Sequence, residues 1–376
     1  MSEAVVPLLV IAVVVFATGF AWLLYATWQV DWRWTLASLA GLPLLLFCVR
    51  HWRRARGPLA VVALSPLLAI VVLAAAGDLV RDRHPDEPVR TFGQRLYGCS
   101  GSALWTQLLA SDHRPLQDFL GPFPMASAPL SSELAIGRAA AHVAALAYLE
   151  PDAVREQTLR WNLPADRVAT RTAGSQFAVV LARDDVLFVA FRGTDDVEDW
   201  LKNVEFIPAP TPWGTVHKGF LDALDSLWPS VSASIEHLRT RGQPIWLVGH
   251  SLGGALAVLA AARLQQRDTR VAGVVTFGQP PAGYGTFAET FARDFKAPLL
   301  RYANHVDAVV GVAFFTLTHV GDLRYFDTAG RLHRGKPALL QQFRDVVCAP
   351  AFEPGAELHS HYVRRYVALL DRAAAR

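Results

Sequence analysis

A serine stands in GHSLGG, residues 249–254, between the apolar run IWLV and the alanine-rich stretch ALAVLAAARL. G-x-S-x-G between a strand and a helix is the local shape that exposes a serine hydroxyl as a nucleophile. Its glycines keep Cβ atoms out of the space where strand and helix crowd together. The helix N-terminus sets the Leu252 N–H beside an oxyanion that would develop there. The plainer alternative is a glycine-rich turn whose serine caps a helix. A serine hydroxyl attacks poorly without a base, and the base, usually histidine, needs a carboxylate to orient it. When the chain order is serine, acid, histidine, both partners lie downstream. The histidines there are His305, His319, His333, His359 and His361. The HSHYVRRY segment comes after the last strand, which is where the base belongs. Asp307 follows the run APLLRYANHV and is the first candidate acid; Asp322 and Asp327 compete with it. Asp268 and Asp294 come too early, in or beside helices.

The elements that would position these groups alternate. SELAIGRAAAHVAALAYLEP, residues 132–151, is alanine-rich and predicts a helix stopped by Pro151. QFAVVLAR and DVLFVAFRG predict an antiparallel pair of strands. Residues 217–241 predict a helix, IWLVGH a buried strand, and LGGALAVLAAARLQQR a helix. VAGVVTFG, APLLRYAN and LRYFD predict further strands, and HSHYVRRYVALLDRAAAR a closing helix. Buried strands alternating with helices imply an α/β fold with a largely parallel sheet.

The chain has 376 residues, and its mean hydropathy of +0.24 is concentrated in the first 80. Residues 4–30, 34–49 and 57–77 are uncharged apolar runs, the first and third long enough to span a bilayer. Trp28, Trp32, Trp34 and Trp52 fall near their ends. The first run lacks a basic leader and a cleavage site, so it predicts an uncleaved anchor. RHWRRAR, residues 50–56, points to a cytoplasmic loop, which would place the chain after Asp78 outside; Arg81, Arg83 and Arg90 weigh against that orientation. The expectation is therefore a multi-pass membrane protein. Its anchor covers 1–80, a linker and irregular lead-in 81–131, and a catalytic domain 132–376, more often on the extracytoplasmic side. Cys99 and Cys348 could pair there, or be two unrelated small residues. A net charge of +3 is too small and too dispersed to argue for nucleic acid, and no nucleic-acid partner is expected. No Cys/His spacing suggests a metal.

Six segments occur in one order: VAFRGTDDVEDWLKNVEF, VHKGFLDAL, LVGHSLGGALAVLAA, VTFGQPPAG, RYANHVDAVV and SHYVRRYVALL. Over about residues 130–370 the chain resembles the fungal-type (class 3) lipases of the α/β-hydrolase superfamily. The resemblance implies a Ser-His-Asp triad of Ser251, His361 and Asp307, with Thr194 and Leu252 forming the oxyanion hole. His361 is favoured over His359 because the family places a tyrosine five residues after the base, where Tyr366 stands. It implies no cofactor and no metal. A lid is implied over residues 195–206, with Trp200, Leu201 and Phe206 as its apolar side chains; an ordinary solvated helix is the alternative. Two positions depart from the family: Ser360 where an acid often precedes the histidine, and Pro281 where arginine is common.

The implied function is hydrolysis of lipid carboxylic esters, triacylglycerol lipase-like, with the bilayer as a second partner and no stated oligomeric state. Phospholipase or short-chain esterase activity shares the same triad. A catalytically inactive membrane scaffold is the competing class, and the complete residue set argues against it. The apolar runs carry no internal charges of the kind a transport path needs. Trp213, Phe220, Phe314 and Phe315 could line an acyl groove or fill a core.

Overall fold

A computed structural model describes residues 115–124, 132–194, 197, 205–240, 242–267, 269–305, 307–311, 317–337 and 361–375, with the side chains of 308 and 311 left aside. All belong to the second of two units of the chain, Gly93–Arg376. Eight strands form one sheet in the order β1 (Val168–Ala173), β2 (Gln176–Ala182), β3 (Leu187–Phe191), β6 (Ile245–His250), β7 (Val271–Phe277), β8 (Leu299–Asn304), β9 (Asp322–Phe326) and β10 (Leu332–Arg334). β2 runs antiparallel to both β1 and β3. β3, β6, β7, β8 and β9 are parallel, and β10 returns antiparallel along β9. A two-stranded hairpin, β4 (Pro208–Thr211) with β5 (Gly214–His217), lies apart from this sheet. This is the α/β-hydrolase fold: a mostly parallel sheet with helices on both faces.

The central strands β3, β6 and β8 are buried along their whole length because both faces are covered. Along β6, Ile245 and Leu247 enter one core cluster, while Trp246 and Val248 enter the other. The first cluster is closed by α4 (Lys218–Leu238), α5 (Leu252–Gln265) and α6 (Gly285–Asp294). α4 buries Phe220, Leu224, Leu227, Trp228, Val231, Ile235 and Leu238, a stripe at helical spacing. Trp213 and Phe220 are therefore core residues here. The second cluster is closed by α1 (Leu116–Leu120), α2 (Glu133–Leu146) and α7 (Val363–Ala374). Ser132 caps α2, its hydroxyl accepting the Ala135 N–H at 3.1 Å. Gly137 lets α2 approach β8, since a Cβ there would collide with the Tyr302 ring. α1 is tied in by Gly121, whose carbonyl accepts from Gln157 Nε2 at 3.0 Å and Trp161 Nε1 at 2.9 Å. α3 (Pro151–Arg160) follows α2 directly.

The expectation of a multi-pass membrane protein is corrected. Among the described residues, no helix is long and apolar enough to cross a membrane. α4 has 21 residues, but its exposed face carries Lys218, Asp222, Asp225 and Glu236. α5 is apolar on every side but has 14 residues, about 21 Å at helical rise, and is buried in the protein core. The runs at 4–30, 34–49 and 57–77 lie outside the described residues, as do Cys99 and Cys348.

Candidate active site

The chain passes from β6 to α5 through one residue, Ser251, with φ 57° and ψ −132°. A non-glycine residue in that region stores about 1–3 kcal/mol of strain. The surroundings hold it there. Ser251 N–H donates to Phe277 O at 2.9 Å, and Gly254 N–H to Ser251 O at 2.9 Å. A Cβ on Gly249 would strike the backbone of Gly253, and one on Gly253 the backbone of Phe191. The strand end, the turn and the helix start are thus in backbone contact. The turn after β3 closes on the same point: a Cβ on Gly193 would lie 2.9 Å from Ser251 Cβ. Thr194 follows directly and is half-buried; Leu252 opens α5.

Asp307 lies beyond β8, at the start of a helical turn, Ala308–Gly311. Its Oδ1 accepts the Val309 N–H at 2.9 Å. His361 Nδ1 lies 2.8 Å from Asp307 Oδ1 and 2.9 Å from Oδ2. An ionised carboxylate accepts, so Nδ1 carries the proton and Nε2 keeps its lone pair. Nε2 is buried and makes no hydrogen bond among the described residues. Tyr366 O–H donates to Asp307 Oδ2 at 2.5 Å and accepts the Asn304 N–H at 3.0 Å. Burial, and then the Asp307 charge, push the Tyr366 phenol well above its ordinary range, so it remains a donor. Gly278 fits between: with φ 56°, a Cβ there would lie 2.6 Å from Asp307 Oδ2 and 2.8 Å from His361 Nδ1. Gly278 follows Phe277, whose carbonyl holds Ser251 N–H. Serine, acid and histidine are therefore gathered at the end of β7.

The competing residues are placed elsewhere. Asp327 is fully buried in the β9–β10 turn, where it binds His333 Nε2 at 2.9 Å, Arg331 Nε at 2.8 Å and two backbone N–H groups. Asp322 and Asp294 are exposed, Asp294 beside Arg293. His305 Nδ1 lies 2.8 Å from Asn304 Oδ1, and burial pulls that imidazole down to about 3. His319 is likewise pulled down to about 3 by burial. His359, Asp268, Trp200, Leu201, Phe314 and Phe315 lie outside the described residues. Phe206 is 42% exposed, its ring edge-on to His217. Two polar side chains beside the site, Tyr148 and His250, carry no signal in the sequence beyond their types. The second is hidden inside the serine motif itself.

Residues 188–317 match the family model described as Lipase (class 3). This segment is similar to the class 3 lipases. It is 31% identical over 157 residues to a lipase of Rhizomucor miehei, an alignment covering 38% of this chain and 43% of that protein. It is 33% identical over 127 residues to secreted mono- and diacylglycerol lipase 1 of Fusarium solani, covering 32% and 38%. A solved structure of Rhizomucor miehei triacylglyceride lipase is 26% identical, with a TM-score of 0.39, covering 43% of this chain and 68% of that one. The chain thus spans less than half the length of the curated relatives it matches. The name of the Fusarium relative states that protein's secretion. The matched residues include Ser251 and Asp307; His361 lies beyond them.

Proposed function

We propose that this chain hydrolyses carboxylic esters of lipids, in the manner of a triacylglycerol lipase, through an acyl-enzyme on Ser251. One observation carries the proposal. A buried His361–Asp307 pair, clamped by Tyr366, packs on Gly278, and the preceding Phe277 carbonyl holds the N–H of a serine at positive φ on a strand-to-helix turn.

In this mechanism, His361 Nε2 takes the Ser251 proton as Oγ attacks the ester carbonyl. Asp307 holds Nδ1–H and stabilises the imidazolium. The oxyanion is met by the Leu252 N–H at the head of α5 and by Thr194, through its N–H and hydroxyl. His361 then protonates the leaving alcohol, and the same base activates water to release the acid. The chemistry requires no metal or organic cofactor. An apolar acyl chain is supported by the names of the relatives.

The test is acid release from esters of increasing acyl length, with a triacylglycerol and a phospholipid in the set, beside Ser251→Ala. Hydrolysis that rises with chain length and falls by about 10⁴–10⁶-fold in Ser251→Ala supports the proposal. Cleavage of the phospholipid in place of the triacylglycerol would reassign the subclass. Folded protein with no activity above Ser251→Ala would leave the scaffold alternative standing.

A further inference from the structure

Two side chains that the proposed chemistry leaves unused, the half-buried Tyr148 and the buried His250, touch both sides of the site. Tyr148 lies just after α2, and its oxygen is 3.2 Å from Gly193 N and 2.6 Å from His250 Nδ1. His250 Nε2 is 2.5 Å from the main-chain oxygen of His361. Donors and acceptors follow in one direction. The His361 carbonyl can only accept, so His250 Nε2 carries the proton. His250 Nδ1 is then an acceptor, so Tyr148 donates to it. The Tyr148 oxygen is left to accept the Gly193 N–H.

The chain of bonds therefore runs from the turn that bears Thr194, through Tyr148 and His250, to the backbone of His361. Its packing agrees with its bonding. A Cβ on Gly193 would collide with the Tyr148 hydroxyl. The His250 ring lies 4.5 Å from the His361 ring, 5.5 Å from Tyr148 and 6.0 Å from Tyr366. Those three side chains are the titratable groups facing His250, and no carboxylate bonds to it among the described residues. Burial, and then the nearby His361, hold His250 well below its ordinary range, so it stays neutral. A neutral imidazole can be a strut beside a base that becomes charged during turnover, where a second cation would oppose that charge.

We propose that Tyr148 and His250 are positioning residues that tie the oxyanion-side turn at Gly193 to the main chain of His361 through one fixed histidine tautomer. The proposal rests on His361 being the base. It assigns neither side chain a contact with the reacting atoms.

The test compares Tyr148→Phe, His250→Leu and His250→Gln with the unaltered chain on a soluble short-chain p-nitrophenyl ester. Tyr148→Phe and His250→Leu should lower kcat by about 10–100-fold, as small displacements of a catalytic group do, with KM nearly unchanged. His250→Gln should recover most of kcat, because its amide can donate to the His361 carbonyl from nearly the same place. The tautomer is read without catalysis, by ¹⁵N chemical shifts of the histidine rings in folded, labelled protein. His250 should show a protonated Nε2 and a bare Nδ1 from pH 6 to 8, and Tyr148→Phe should shift the Nδ1 signal. Unaltered kcat in Tyr148→Phe, a His250→Gln variant as slow as His250→Leu, or an Nδ1–H tautomer would overturn the proposal. Its failure is separable from that of the function: activity absent or surviving Ser251→Ala sinks the enzyme, whatever His250 does.

Discussion

One hydroxyl, that of Tyr366, accepts the Asn304 N–H and donates to Asp307. It joins the end of β8 to the acid that follows it. Tyr366→Phe keeps the ring in place and leaves a buried N–H and a carboxylate oxygen each short of a partner. A group left unpaired in this way costs about 1–3 kcal/mol. The expected result is a lower thermal midpoint and a kcat reduced about tenfold, measured on the same ester as the parent chain. An unchanged kcat would mean that Asp307 holds its orientation without the phenol. Because burial raises the Tyr366 phenol well above its ordinary range, its ionisation should contribute no alkaline loss of activity below about pH 10. In the sequence Tyr366 is a spacing mark that selects His361 over His359. Its bond to Asp307 is invisible there, because the two residues are 59 positions apart. Tyr148 is hidden for the same reason, lying 102 positions from His250.

At the scale of elements, the turn between β6 and α5 fixes the geometry. Gly249→Ala places a methyl against the Gly253 backbone, where no flexible side chain can give way. Gly278→Ala adds a methyl between Asp307 and His361, at positive φ. Each should lower the thermal midpoint and remove most ester hydrolysis. Gly285→Ala, at an open position, is the control and should change little. Circular dichroism melts and hydrolysis rates on the three variants check this. The elements that frame the turn are legible in sequence because they are long, apolar and strongly patterned, as in IWLVGH and LGGALAVLAAARLQ. Those missed have physical reasons. Pro151 reads as the stop of α2 and is in fact the first residue of α3, where a missing N–H is harmless. β4 carries Pro208 and Pro210, which argue against a strand, yet it pairs over only four residues outside the main sheet. β1 is short, polar and half-buried at the sheet edge, with little apolar alternation to announce it.

Across the whole molecule, buried ionisable groups set how stability follows pH. His305 and His319 are held down to about 3, and His250 well below its ordinary range, in each case chiefly by burial. Unfolded, each returns to about 6.5. Between those limits the unfolded chain binds more protons, so stability is complete above about pH 6.5 and is lost as pH falls. The slope reaches at most about 1.4 kcal/mol per pH unit for each histidine. Two ion pairs act in the same direction at lower pH. Glu133, lowered first by its hydrogen bond to Arg324, ties α2 to β9. Asp371 is raised by burial but lowered overall by His142 and Arg138, and ties α7 to α2. The urea midpoint should therefore be lower at pH 5 than at pH 8; an equal or higher value at pH 5 would contradict this account. These ties join distant segments, and the sequence shows charges without showing partners. The membrane expectation has a different origin: it rests on residues 1–80, none of which is described, while the long helices of the second unit are built to cover a sheet.

The central claim is that Ser251 is an activated nucleophile, and covalent capture tests it most directly. The protein is exposed to an alkyl fluorophosphonate, and the modified residue is located by peptide mass spectrometry. The account predicts one adduct, on the peptide containing Ser251, absent in Ser251→Ala and formed far more slowly in His361→Ala. Folded protein that takes no adduct at Ser251, or labels equally fast without His361, would contradict it.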